Sequence, residues 1–151
     1  MKALVLIKFI LLLVWLTIPS LAQDYSSPEK TFETYLEACK VGSFEKAEAC
    51  YTKSSRALAK QRSQGRVRHS DSLVDAFDKL SPLTFRLESV NTKRAILWPS
   101  DESVPPFFLR IQEPEENWRL DYHFMSNFIQ VEKDGWKWRN KRIFKIWKSR
   151  E

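Results

Sequence analysis

The hydrophobic period of this chain changes once, near Leu83, and that change limits what it can fold into. Before it, apolar residues recur at helical spacing. Phe32, Tyr35, Leu36 and Cys39 form one stripe; Phe44, Ala47 and Tyr51 form a second; Leu73, Val74, Phe77 and Leu80 form a third. After it they alternate. Leu83, Phe85 and Leu87 are separated by Thr84 and Arg86, and Trp118, Leu120, Tyr122 and Phe124 by Arg119, Asp121 and His123. A period of two is that of a half-buried strand. Helices first and strands afterwards give an α+β domain, with N-terminal helices packed on an antiparallel sheet.

Local signals set the boundaries. Ser27 and Pro28 suit a helix start, and Gly42 is placed to end that helix. Ser43 can cap a second helix, which continues weakly through Ala57 and Leu58. The polar stretch from Gln61 to Arg68, with Gly65 inside it, reads as a loop. One of Ser70, Asp71 and Ser72 caps a third helix, and Ser81-Pro82 stops it. In the strand half, a turn at Asn91-Thr92 pairs Leu87 with Ile96 and Phe85 with Trp98. A loop carrying Pro99, Pro105 and Pro106 leads to a strand over Phe107 to Ile111. Asp134-Gly135 is a strong two-residue hairpin signal. It pairs Val131 with Trp138 and Glu132 with Lys137, and the segment Ile143 to Trp147 prolongs the second strand.

Residues 1–22 read as an export signal. Lys2 and Lys8 precede and interrupt it, an apolar run follows from Phe9 to Ile18, Pro19 breaks it, and Ser20-Leu21-Ala22 offers small residues before a cut. The run is shorter than the roughly 18 residues a membrane span needs. No cysteine follows the cut. Residues 23–151 then form a single secreted or periplasmic domain, where ATP- and nicotinamide-driven chemistry has no supply. Removing the two leader lysines lowers the formal charge from +6 to +4. The distribution is uneven: Arg56, Lys60, Arg62, Arg66 and Arg68 follow one another without an acid, and from Glu132 onward eight basic residues face three acids. Cys39 and Cys50 invite a disulfide in an oxidising compartment. A helical hairpin around Gly42 would separate them axially by roughly 7 Å, which favours two buried thiols instead.

The segments Ser27-Pro28-Glu29-Lys30-Thr31-Phe32, Tyr35-Leu36 and Gly42-Ser43-Phe44-Glu45-Lys46-Ala47 resemble the opening of exported members of the nuclear transport factor two-like (cystatin-like cone) superfamily. Asn117-Trp118-Arg119-Leu120-Asp121 and Asp134-Gly135-Trp136-Lys137-Trp138 resemble the tryptophan-bearing strands that close such domains. The resemblance implies a curved sheet wrapped against helices, often with an apolar pocket. It does not imply one function, because the superfamily hosts enzymes, ligand binders and interaction domains. Gly42 to Leu58 also resembles half a tetratricopeptide repeat, but no second copy follows.

Three functional expectations come out of these residues. The first is a non-catalytic exported domain that binds a small apolar molecule or an envelope protein, in a pocket bounded by Tyr35, Trp98, Trp118, Tyr122 and Trp138. The second is binding of an anionic surface such as a membrane or lipopolysaccharide. Lys137, Arg139, Lys141 and Lys145 would share a strand face for it, helped by the Arg56 to Arg68 stretch, each cation contributing about 1 kcal/mol near such a surface. Nucleic acid would be held by the same charges but is a poor fit outside the cell. The third, which the resemblance implies, is an isomerase-like acid–base enzyme built on Tyr35. It lacks an inward acid, because strand parity turns Asp121 outward beside His123. Two histidines far apart do not make a zinc site. Gly42, Gly65 and Gly135 are isolated, so no phosphate loop is present. No cofactor is expected.

Overall fold

The computed structural model describes residues 23–149. The export signal expected at residues 1–22 lies outside them. Helix α1 spans Pro28–Lys40, with Pro28 in its first turn and the Ser27 hydroxyl accepting from Lys30 N at 3.2 Å. It ends at Gly42, whose φ of 65° suits a residue without a Cβ. Ser43 caps α2, Phe44–Ala49. Thr52 then caps α3, Lys53–Ser63, so this helix runs into the stretch that polarity alone marked as loop. Helix α4, Asp71–Leu80, packs back on α1. A Cβ on Gly42 would meet Ser70 Cβ at 2.9 Å, so this glycine is also what lets the start of α4 sit against the α1–α2 turn.

Four antiparallel strands follow as a meander: β1 Phe85–Asn91, β2 Arg94–Pro99, β3 Phe107–Gln112 and β4 Asn117–Leu120. The first hairpin differs from the expected pairing. Leu87 faces Leu97 and Phe85 faces Pro99, with an irregularity between Ser89 and Asn91 that accommodates Val90. A bulge takes up one residue, and one residue of register exchanges the faces. Leu97 therefore joins Phe32, Leu80, Leu109 and Leu120 on the helix side. Ile96 and Trp98 turn the other way, where Ile96 packs with Phe108 and Trp98 lies against that second cluster.

That other face is not left to water. Strand β4 stops at Leu120, and the expected continuation through Phe124 is instead helix α5, Tyr122–Phe128. Asp121 is its N-cap, accepting from Phe124 N at 3.3 Å, while its own N–H donates to Phe108 O at 2.7 Å. Strands β5, Ile129–Glu132, and β6, Gly135–Trp138, form a separate two-stranded sheet. The expected strand extension at Ile143 to Trp147 is helix α6, Lys141–Ser149. Its cap is Asn140, whose Oδ1 accepts from Arg142 N at 3.1 Å and Ile143 N at 3.2 Å. Phe108 meets Phe128 and Trp147 edge-on at 4.8 and 5.2 Å, joining this layer to the sheet. The domain is thus α+β in three layers: helices α1 and α4, the four-stranded sheet, and a helix–hairpin–helix cover.

The terminal hairpin turns at Lys133-Asp134, one position earlier than its sequence signal, so Val131 faces Trp136 and Ile129 faces Trp138. A turn displaced by one position moves each partner by two. Parity survives, and Ile129, Trp136 and Trp138 all reach the second core cluster. The Trp136 indole donates to Glu102 O at 3.0 Å, which docks the ribbon on the proline-rich loop in this register. Cys39 and Cys50 are both buried free thiols. Burial pushes the Cys50 thiol up to about 12.

Candidate functional site

Helix α3 is anchored at its start and basic along its outer side. Thr52 and Ser55 are fully buried. The Thr52 hydroxyl accepts from Ser55 N at 3.2 Å and lies 2.6 Å from Ser55 Oγ. Thr52 N donates to Leu120 O at 3.0 Å, Lys53 N to Gln112 Oε1 at 2.6 Å, and His123 N to Ser55 Oγ at 3.0 Å. These bonds tie the first turn of α3 to the end of β4, to β3 and to α5. Lys53, Arg56 and Lys60 are spaced by three and four residues, so they share one helix face. All three are exposed.

The loop after α3 brings more cations to the same side. Arg68 lies 4.2 Å from the centroid of the Phe44 ring and pairs with Glu48. An open groove of about 550 Å³ runs between Lys53, Arg56, Lys60 and Arg68, with Glu48 as its one acid. Next to it, sharing Glu48, Ser63 and Arg68, is a hollow of about 320 Å³ walled by Phe44, Tyr51, Leu73 and Tyr122 with Arg62 and Arg66. Arg62 donates to the Tyr122 hydroxyl at 2.7 Å and sits 5.5 Å from that ring. The Tyr122 ring stacks on Tyr51 at 6.0 Å, and Tyr51 lies 6.0 Å from Tyr35. Burial pushes the Tyr51 phenol up to about 12, so it stays protonated and can only donate or accept a hydrogen bond.

Charge balance gives this surface its character. Six Lys and Arg side chains lie between Lys53 and Arg68, with no acid in that span. Glu115 approaches Lys53 at 3.5 Å and Glu48 takes Arg68. Among the described residues no carboxylate pairs with Arg56, Lys60, Arg62 or Arg66. Clustered like charges repel one another, and a bound anion relieves that repulsion.

The five residues expected to bound one pocket are divided by the sheet. Tyr35 and Trp118 pack on the helix-side cluster, whereas Trp98 and Trp138 pack on the opposite one. The Trp98 indole donates to Glu88 at 2.8 Å, and Trp138 lies on Phe144 with ring centroids 4.5 Å apart. Tyr122 lines the hollow beside α3 and reaches Tyr35 only through Tyr51. The four cations expected on one strand face are also redistributed. Lys137 is on β6 and pairs with Glu132, Arg139 follows the strand, and Lys141 and Lys145 are one turn apart on α6. Strand parity does not extend into a helix, so no common strand face exists.

Asp121 is not outward. It is wholly buried, because the sheet face that parity assigned to solvent is covered. Burial raises its carboxyl above the ordinary range, opposed mainly by Arg110, whose Nε lies 3.0 Å from Oδ2. The two atoms are close but not aligned as a hydrogen bond. Tyr35 lies on the other side of the sheet, so Asp121 and Tyr35 are not an acid–base pair. Among the described residues no group of three or more His, Cys, Asp or Glu side chains is placed to hold a metal ion. Among them, too, no helix is long and apolar enough to cross a membrane. Comparison of the chain with protein-family models, curated proteins and solved structures finds no match.

Proposed function

We propose that this is an exported, non-catalytic protein that attaches to phosphate-bearing anionic surfaces through α3 and the loop after it. One observation carries the reading: Lys53, Arg56 and Lys60 share an exposed helix face, with Arg62, Arg66 and Arg68 beside them and a single acid, Glu48, in the groove. A rigid helix fixed by buried Thr52 and Ser55 holds the cations at set spacing, so little ordering is required on binding. Planar guanidiniums match phosphate geometry through paired N–H groups. The leader-like residues 1–22 support export, which places this face where envelope lipids and phosphate polymers are found.

A likeness to the nuclear transport factor two-like fold is supported by helices that precede and cover one face of an antiparallel meander. The separate terminal hairpin and the covered second face are departures from it. The small apolar ligand has less support, since Phe32, Phe85 and Phe107 fill the helix side with ring contacts at 4.6 and 4.8 Å.

The test is binding to vesicles of mixed phosphatidylglycerol and phosphatidylcholine. At about 1 kcal/mol per cation, the triple variant Lys53→Gln/Arg56→Gln/Lys60→Gln should bind roughly a hundredfold more weakly. The fourfold variant Lys137→Gln/Arg139→Gln/Lys141→Gln/Lys145→Gln should bind within a few fold of wild type. Equal binding of wild type and the α3 variant would remove the proposal.

A further inference from the structure

The hollow beside the basic face of α3 is apolar within and cationic where it meets solvent. It holds about 320 Å³. Phe44, Tyr51, Leu73 and Tyr122 wall it, and Leu73 belongs to the core shared by α1, α2 and α4. Arg62, Arg66 and Arg68 also line it, and all three are exposed. Among the described residues its one acid is Glu48, which Arg68 already pairs.

The loop that edges the hollow is fixed at both ends. Helix α3 gives way at Gly65, whose φ of 72° suits glycine. Arg66 N donates to Ser63 O at 3.0 Å, and the Arg68 guanidinium lies 4.2 Å from the Phe44 ring centroid. Val67 is held between these two anchored residues. It lines the hollow and is nevertheless 82% exposed. An apolar side chain kept in water beside an apolar hollow favours a hydrocarbon that covers both. The cations supply the other half of the match. Arg62 uses Nη1 on the Tyr122 hydroxyl at 2.7 Å, and a guanidinium carries five N–H donors. Among the described residues Arg66 has no ion-pair partner. Guanidiniums bordering an apolar hollow match a phosphate that carries a hydrocarbon chain. The volume is at the low end of the roughly 300–1,000 Å³ of ligand pockets, which suits one chain.

We infer that this hollow takes one hydrocarbon chain of an anionic lipid, with the lipid phosphate on Arg66 and Arg62 and with Val67 along the chain. The inference rests on the surface-binding reading and narrows it, because it selects lipid among phosphate-bearing surfaces. Monomeric decyl phosphate is the probe. Inorganic phosphate supplies the head without the tail, and decyl maltoside the tail without the charge. Binding is followed by calorimetry and by the Val67 methyl resonances.

Decyl phosphate should bind saturably, one molecule per chain, and shift the Val67 methyls. Both controls should bind at least tenfold more weakly. Ala59 lines the hollow from α3, so Ala59→Phe fills it and leaves every cation in place. That variant should weaken decyl phosphate at least tenfold. Arg66→Gln and Val67→Ser should each weaken it several fold. Should Ala59→Phe fail to fold, these two loop variants, which alter exposed side chains, carry the comparison. The Lys53→Gln/Arg56→Gln/Lys60→Gln protein changes only the adjoining groove and should bind decyl phosphate within a few fold of wild type. Decyl phosphate that binds no tighter than inorganic phosphate, unmoved Val67 methyls, or wild-type affinity in the folded hollow variants would overturn the assignment. Those results would leave the α3 reading standing, since vesicle binding by that triple variant decides it separately.

Discussion

Removing Arg110 should expose how the buried Asp121 is tolerated. Asp121 is wholly buried and Arg110 is its ion-pair partner, with Nε and Oδ2 3.0 Å apart. Deleting one member of a buried pair leaves the other charge in a poor solvent and costs about 3–5 kcal/mol. Here the low end applies, because the Arg110 side chain is 36% exposed and water screens the pair. Arg110→Met should therefore lose about 3 kcal/mol at pH 7. At about 4 °C per kcal/mol for a domain of this size, melting should fall by roughly 12 °C.

The pH dependence has a fixed sign. Burial already raises the folded carboxyl above its unfolded value. A raised pKa means that stability is full below the unfolded pKa and is lost as pH rises through the folded one. Without Arg110 the folded pKa climbs further. The deficit of the variant should then be smaller at pH 5 than at pH 7, because a further raised pKa makes protonation of Asp121 easier on acidification. Adding Asp121→Asn should restore most of the loss and flatten the pH dependence. Thermal unfolding followed by circular dichroism at both pH values measures this. An Arg110→Met protein that melts within about 3 °C of wild type at pH 7, or a deficit that grows on acidification, would refute the reasoning.

Two further outcomes follow from the packing. Gly42→Ala should cost about 2 kcal/mol or more in chemical denaturation, because φ is 65° and the new Cβ would meet Ser70 Cβ at 2.9 Å; Ser43→Gly, which removes only the α2 cap, should cost a few tenths of a kcal/mol. Cys39 and Cys50 should be inert to a thiol reagent at neutral pH in the native protein and both react on denaturation, since burial holds both thiols above their ordinary pKa. Mass spectrometry would read an oxidised pair as a loss of two hydrogen atoms.

The helical half was largely legible because its signals are local. Ser27, Pro28, Gly42, Ser43 and Ser81 act on bonds within one turn, and each stands where the sequence placed it. The strand half was legible in kind but not in register. Val90 is a bulge residue that nothing in its neighbours announces, and it exchanges the faces of Ile96 and Leu97. Alternation favours strands where the chain forms its last two helices, because apolar residues at Tyr122, Phe124, Ile143 and Trp147 fit either period over so few positions. Their caps were the available signal: Asp121 and Asn140 both accept backbone N–H groups at a helix start. The outward reading of Asp121 failed for the same reason, since the cover on that face is made of those two helices.

At the α3 site the charges were visible in sequence and their support was not. The run from Arg56 to Arg68 is plain in the sequence, but its polar part from Gln61 onward reads as a loop, and the expected anionic-surface face is that of Lys137, Arg139, Lys141 and Lys145. Thr52 as a cap, accepting from Ser55 N at 3.2 Å, is the residue that turns that run into an ordered helix face.

Salt titration of vesicle binding tests the central proposal most directly. Between about 0.1 M and about 1 M salt the screening length falls from about 10 Å to about 3 Å. Binding of the wild-type protein to phosphatidylglycerol-containing vesicles should collapse over that range, and the Lys53→Gln/Arg56→Gln/Lys60→Gln protein should start weak and depend on salt much less. Wild-type binding that persists unchanged at the higher salt, or two superimposable titration curves, would contradict attachment through the basic face of α3.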